Sequence, residues 1–566
     1  MGRYIRWQAL IALSGIILVG VFLFSIALSR TTVLVPDEGG IYTEGLAGAP
    51  QYINPLLAQY NPVDQDLAAL IFSGLARTDD QGEPQPDLAS KWTVSPDGLV
   101  YLFQLRSNVR WSDGEPFDAD DVLFTVGLMQ DPEFPGVPYL GDLWRTVKVE
   151  KVDDHAVRFR LEQPLPTFAD FTTMGILPEH VLGEVSARDL LTLPFNTEPV
   201  GIGPFVLQSI SAERALLVPN PRYVPPPGKR DARRERPYLA GIEFRFYPTY
   251  ERSLTAYQSG EVQGISYIPP HLFPDATALD SLNLYTSRLS GYQLVYLNLQ
   301  NSESSPFFQD PRVRQALLLG LDRQALIDTA LNGQGIVANG PIRPWSWAYD
   351  TELPPAQHDP LQAEALLAEA NWVDTDGDGI RDKNGHPFQF TLLTGDDPIF
   401  AQLGHAMAEQ WERLGISVQV EPLGAGLSDH LRARDFQAVL VELLLYGDPD
   451  PYPLWHQTQI EGGQNYGGWD NREASEALEQ ARYLTDRDQR KGYYHEFQRI
   501  FVQDMPALII AYPTYTYAID ESVRNVQIGP MVSPADRFRT FPDWYINTRR
   551  VILAEAESSQ SAQQAP

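Results

Sequence analysis

The sequence predicts a mixed α/β protein of several domains, carried behind a single N-terminal transmembrane helix. Strand and helix signals alternate from Asn54 to about residue 550. The length, 566 residues, exceeds what one compact core usually holds, at about 150 residues per domain. A run of 20 residues without charge, Ala9 to Leu28, stands near the start.

That run is the first element. As a helix rising about 1.5 Å per residue it spans roughly 30 Å, the thickness of a bilayer's hydrocarbon core. Arg3 and Arg6 precede it. Positive flanks stay cytoplasmic, which puts the N-terminus inside and the rest of the chain on the extracytoplasmic face, periplasmic or at the cell surface. A cleaved signal peptide is the competing reading, with Ala27-Leu28-Ser29 as its small-residue site. An apolar region this long exceeds the usual about 7–15 residues, which favours a retained anchor over residues 1–30.

Composition narrows the partners. The chain carries 43 basic and 73 acidic residues, a net charge of −30. Such a surface repels phosphate backbones and argues against nucleic acid. Cysteine is absent, which removes disulfides, thiolate nucleophiles, Cys-ligated metals and lipid attachment through an N-terminal cysteine. At 43% hydrophobic and 11% aromatic residues, the chain has ample material for packed cores.

Residues 31–50 are polar and glycine-rich and read as a linker. Leu99 to Leu105 and Gly241 to Tyr247 read as strands, as do Tyr292 to Leu299 and Ala507 to Tyr512. Asp118 caps a helix from Ala119, with Asp120 and Asp121 in its first turn, where acids suit the helix dipole. Asp310-Pro311, Asp322 and Asp359-Pro360 open three further helices, proline taking the first helical position in two of them. Pro225 to Arg236 forms a basic loop in an acidic protein, and residues 553–566 are Ser, Gln and Ala without periodicity, a disordered tail.

No His-Glu-x-x-His, Gly-x-Ser-x-Gly or Walker-type loop is present. Gly201-Ile202-Gly203 lacks the third glycine of a dinucleotide fingerprint and reads as a turn before a strand at Phe205. No catalytic residues are assigned and no cofactor is required. One segment has metal-loop spacing. Asp374, Asp376, Asp378 and Asp382 fall at positions 1, 3, 5 and 9 of a calcium-type loop, with Gly379 at position 6 and Ile380 offering its carbonyl at position 7. Gly385 stands at position 12, where the bidentate acid belongs. A structural Ca²⁺ and a plain polar turn both fit these residues.

Several segments resemble one family in order and spacing. They are Asn54-Pro55-Leu56-Leu57, Pro86-Asp87-Leu88-Ala89-Ser90-Lys91-Trp92, Phe103-Gln104-Leu105-Arg106, Val109 to Gly114 and Pro116 to Val122. Gly201 to Phe205, Asn220-Pro221-Arg222-Tyr223, Asp310 to Ala316 with Asp322-Arg323, and Leu414-Gly415-Ile416 follow in turn. Together, over about residues 50–550, they resemble the family 5 solute-binding proteins of ABC importers, which include oligopeptide-, dipeptide- and nickel-binding proteins.

The resemblance implies a periplasmic-binding-protein-like fold of class II type: two lobes joined by a hinge, plus an extra α/β domain. On that reading lobe I takes residues 51–65, 198–290 and 508–552, the extra domain 66–197 and lobe II 291–507. It further implies a monomer without enzymatic activity that hands a small solute, an oligopeptide or another, to permease subunits with a cytoplasmic ATPase. A secreted hydrolase and a tethered ligand sensor remain the alternatives. The two strands at Tyr292–Leu299 and Ala507–Tyr512 are hinge candidates.

Aromatic and polar residues that could enclose a solute cluster at Tyr446, Asp448, Asp450, Trp455, Asn465, Tyr466 and Trp469, with Trp345 and Trp347 as a second group. The resemblance also exposes a departure. Peptide-binding relatives carry Trp-x-x-Asp just before an acid-Pro pair, the Asp holding the peptide ammonium. Placing that pair on Asp448-Pro449 puts Glu442 at the Trp and Leu445 at the Asp. Leu445 cannot neutralise a buried ammonium, which would cost several kcal/mol unpaired, whereas a register shift would put Asp448 in that role.

Overall fold

In the computed structural model, residues 13, 15–19 and 32–552 are described, apart from 80–81, 228–236, 301–306, 425 and 446–448. Most of the expected anchor, the basic stretch Lys229–Arg236 and the tail 553–566 lie outside the described residues. Among those described, no helix is long and apolar enough to cross a membrane.

Twelve strands form the central sheet: β1 (Ile41–Ala47), β2 (Phe205–Ile210), β3 (Arg214–Pro219), β4 (Gly241–Tyr247), β5 (Gly264–Ile265), β6 (Leu282–Arg288), β7 (Gly291–Leu297), β8 (Gly335–Val337), β9 (Gln389–Thr394), β10 (Ser417–Pro422), β11 (Ala438–Leu444) and β12 (Ala507–Asp520). Their order is β10-β9-β11-β7-β12-β5-β1-β4-β3-β2, with β6 and β8 also paired to β12. β12 joins the two halves. Its first residues pair with β7, Ala507 against Tyr296, and its last with β6, Asp520 against Leu282. The second connection is the short turn from β6 to β7, where the Leu289 amide donates to the Pro513 carbonyl at 3.0 Å. The expected hinge strands are therefore neighbours. The crossings themselves fall at Leu289-Ser290 and near Pro513, just outside each expected segment.

The region expected to be a linker is structured. Thr32–Pro36 pairs antiparallel with Thr548–Ile552, and β1 lies inside the central sheet between β4 and β5. Local reading failed because Glu44 puts a charge in the middle of the strand. Its carboxylate is fully buried, and Arg537, equally buried, holds both Glu44 and Asp66 at 2.6 Å. The Tyr42 and Tyr517 hydroxyls donate to the other Glu44 oxygen at 2.8 and 2.7 Å. Removing one member of such a buried ionic group costs about 3–5 kcal/mol, because it strands the remaining charge. The boundary expected between residues 65 and 66 falls within one helix, α1 (Pro62–Ile71), which Asn61 caps through its side chain.

A separate four-stranded antiparallel sheet runs in the order Ala89–Val94, Val100–Leu105, Ala156–Leu161, Val147–Asp153. α2 (Ala119–Gln130) starts as expected at Asp118, and Asp121 closes the capping box by accepting from the Asp118 amide at 3.1 Å. Asp121 also accepts from the Trp111 indole and the Glu179 amide. Burial still pushes its carboxyl up to about 6. The apolar side of this sheet, with Phe103, Phe159 and Trp144, merges into the same core as Leu67 and Ile71 of α1. Asp310, Asp322 and Asp359 all cap helices through their side chains, as their spacing predicts. α3 (Pro398–Glu412) and α4 (Arg487–Asp504) complete the elements that frame the site.

Candidate functional site

Between the two halves of the molecule lies an open cleft of about 1750 Å³. The half that carries α1 contributes Tyr60, Arg77 and Tyr139. The half that carries β7 and β11 contributes Tyr292, Arg343 and Leu443. Tyr and Arg together give a lining that buries apolar surface while fixing polar groups by direction.

The cleft reaches the end of β11. The Leu445 amide donates to the Ser290 carbonyl at 2.8 Å, and the Asn298 amide to the Gln437 carbonyl at 2.9 Å. Antiparallel pairing alternates, so the odd-numbered residues of β11 turn their backbone groups toward β7. The even-numbered ones face the other way. Ala438 and Leu440 meet β9, whose pairing with β11 ends at Leu440. Glu442 and Leu444 thus face a side on which no strand pairs among the described residues. A strand edge of this kind accepts an extended chain by main-chain hydrogen bonds.

Of the residues expected to hold a solute, Asp450 and Tyr466 line the cleft. Asp450 is not a free counter-charge. Arg482 holds it at 2.6 Å and lays its guanidinium 3.9 Å from the centre of the Tyr452 ring, while its other oxygen accepts from the Tyr452 amide. Tyr466 meets Tyr296 edge to face at 5.7 Å with Arg434 above it, and burial raises its hydroxyl pKa.

Trp455, Trp469 and Asn465 belong to the core. Trp455 packs on Phe501 at 4.9 Å, and Trp469 packs on the same ring and donates to Asp504 at 3.0 Å. Asn465 is fully buried and ties the His456 and Trp469 carbonyls together through one amide. The partners of the two tryptophans, Phe501 and Asp504, sit on α4, far along the chain, so a local cluster of aromatics could not reveal that they pack inward. Trp345 and Trp347 pack against Tyr512 and Tyr494, with Arg288 over the first ring and Arg487 and Arg490 over the second, outside the cleft lining. Tyr446 and Asp448 lie outside the described residues.

Arg343, Tyr292, Tyr60 and Tyr139 are lining residues that sequence reading missed. They come from four segments far apart in the chain, and none has a distinguishing local pattern. Asp87, within the Pro86–Trp92 segment, also stands on the cleft wall. Burial pushes its carboxyl up to about 7, against the opposing pull of Arg77, Arg106 and Ser73.

The acidic loop gathers three of its expected ligands. Carboxylate oxygens of Asp374, Asp376 and Asp382 lie within 4.8 Å of one another. Asp378 is not in that group and accepts from the Ile380 amide at 2.7 Å. Asp374 accepts from the Gly377 and Gly379 amides, and both glycines have positive φ, which the loop's reversal requires.

A family model for bacterial extracellular solute-binding proteins, family 5, middle region, matches residues 83–465. The chain is 28% identical over 542 residues to the oligopeptide-binding protein AppA of Bacillus subtilis strain 168, covering 93% of this chain and 97% of that one. Protein XP55 of Streptomyces lividans is 31% identical over 484 residues, 84% of each chain. The structure of Bacillus subtilis AppA in complex with a nonapeptide superposes with a TM-score of 0.74, covering 91% of this chain and all of that one. NikZ of Campylobacter jejuni in complex with Ni(L-His), 24% identical, shares the fold with a TM-score of 0.74 over 89% of this chain and 99% of that one.

Proposed function

Because the chain belongs to the family 5 bacterial extracellular solute-binding proteins, we propose that its solute is an oligopeptide held in extended form along the free edge of β11. The protein is the substrate-binding subunit of an ABC-type importer, works on the extracytoplasmic side and is not an enzyme. What supports a peptide over a compact solute is the unpaired side of Glu442 and Leu444, which opens where a long cleft begins. Main-chain hydrogen bonds supply affinity regardless of sequence, and the cleft receives side chains on alternate positions. AppA, bound to a nonapeptide, supports the same reading. Mass spectrometry of solutes that copurify with the native protein tests it.

Three finer readings accompany this one. Residues 1–30 tether the protein to the membrane with the N-terminus inside, supported by the uncharged run after Arg3 and Arg6 and by the lack of a lipid-attachment cysteine. The binding unit works as a monomer whose halves close by bending at Leu289-Ser290 and Pro513. The Asp374–Asp382 loop holds a structural Ca²⁺, supported by the three convergent carboxylates.

A further inference from the structure

The two faces of the β7–β11 pair differ. Tyr292 lies opposite Leu443, and both line the cleft. Gln293 lies opposite Glu442, and alternation sends both to the reverse face. A chain added to the free edge of β11 obeys the same alternation. Its residue beside Glu442 directs its side chain to that reverse face, and the residues before and after it direct theirs to the cleft.

The reverse face presents acceptors. The Gln293 amide nitrogen donates to Glu442 at 2.9 Å. Gln293 is only 6% exposed, and its oxygen has no hydrogen-bond partner among the described residues. β9 leaves the sheet after Thr394 and brings Asp397 to the start of α3, where one oxygen caps the Ile399 amide. Tyr267 meets Tyr250 edge to face at 5.4 Å and stacks on Tyr515 at 5.0 Å. Burial raises the Tyr267 hydroxyl pKa, and Glu442, Tyr250 and Asp397 raise it further. Burial likewise raises the Glu442 carboxyl, against the opposing hydrogen bond from Gln293, and no ion pair holds it among the described residues. Glu442 is half-buried and keeps part of its surface exposed.

We propose that the position beside Glu442 on this face takes the cationic side chain, lysine or arginine, of one residue of the bound peptide, with Glu442 as its counter-charge. A primary ammonium or guanidinium there would meet the Glu442 carboxylate and the spare Gln293 oxygen, while a carboxylate would meet like charge. The proposal rests on the strand-edge reading above and adds to it a position and a charge.

The test uses a nonapeptide of alternating Ser and Ala in which Lys, norleucine or Glu replaces each position in turn, with calorimetry on the full extracytoplasmic chain. The expected result is one position at which Lys binds about tenfold tighter than norleucine and Glu about tenfold weaker. Glu442→Gln removes the advantage of the Lys peptide over the norleucine peptide at that position. A norleucine peptide that binds, with no position favouring Lys, overturns the proposal and leaves the strand-edge reading standing. A Lys preference that survives in Glu442→Gln also overturns it. If no peptide of any series binds, both readings fall. Should Glu442→Gln fail to fold, the position pattern of the unaltered protein decides alone.

Discussion

The Leu445 amide donates to the Ser290 carbonyl at 2.8 Å, and that bond fixes which backbone groups at the end of β11 are taken. It also places Leu445 on the cleft side, at the turn from one half of the molecule to the other. An acid at this place could grip a peptide's terminal ammonium, and a leucine cannot.

The first prediction follows from Leu445. Binding should be indifferent to the peptide's terminal amine. The same peptide with a free and an acetylated N-terminus should differ less than about threefold in Kd, under about 1 kcal/mol. Calorimetry checks this. A loss of a hundredfold on acetylation would show that another acid serves the ammonium.

Trp455 is a stability residue. Trp455→Ala should cost about 3–5 kcal/mol in denaturant unfolding, the usual range for an aromatic removed from a packed core. Affinity measured on the folded fraction should stay unchanged. Weakened binding with unchanged unfolding would return Trp455 to the cleft.

How far the sequence was legible depended on distance along the chain. Asp118, Asp310, Asp322 and Asp359 cap helices with side chains that reach only two or three residues, so their role is written locally. β1 was missed because what makes Glu44 tolerable in a buried strand is Arg537, nearly 500 residues later. Trp455 and Trp469 were misplaced for the same reason, their packing partners being on α4. The strand Tyr292–Leu299 was legible as a strand, but that Glu442 faces Gln293 and Tyr292 faces the cleft required the register.

Asp87 should make stability fall as pH rises. Its folded pKa, pushed up to about 7 by burial, lies above the unfolded value of about 4. A carboxyl raised on folding contributes stability that is complete below its unfolded pKa and is lost as pH passes its folded one. Tm should therefore decline between about pH 4 and 7, and Asp87→Asn should shrink that decline. An identical pH profile for the variant would contradict the assignment.

The acidic loop gives a chelation test. If Asp374, Asp376 and Asp382 hold Ca²⁺, EDTA should lower Tm and added Ca²⁺ restore it, and Asp376→Ala should abolish the difference. Superimposable melting curves with and without EDTA would leave a polar turn closed by its own amide hydrogen bonds.

The central claim is that this subunit carries a peptide as an added strand on β11. The most direct measurement is mass spectrometry of the small molecules released on denaturing protein purified from its native membrane fraction. The account predicts a set of peptides of several residues, enriched in lysine or arginine at one fixed position. Recovery of a metal chelate, a sugar or another compact solute in stoichiometric amount, with no peptide, would contradict it.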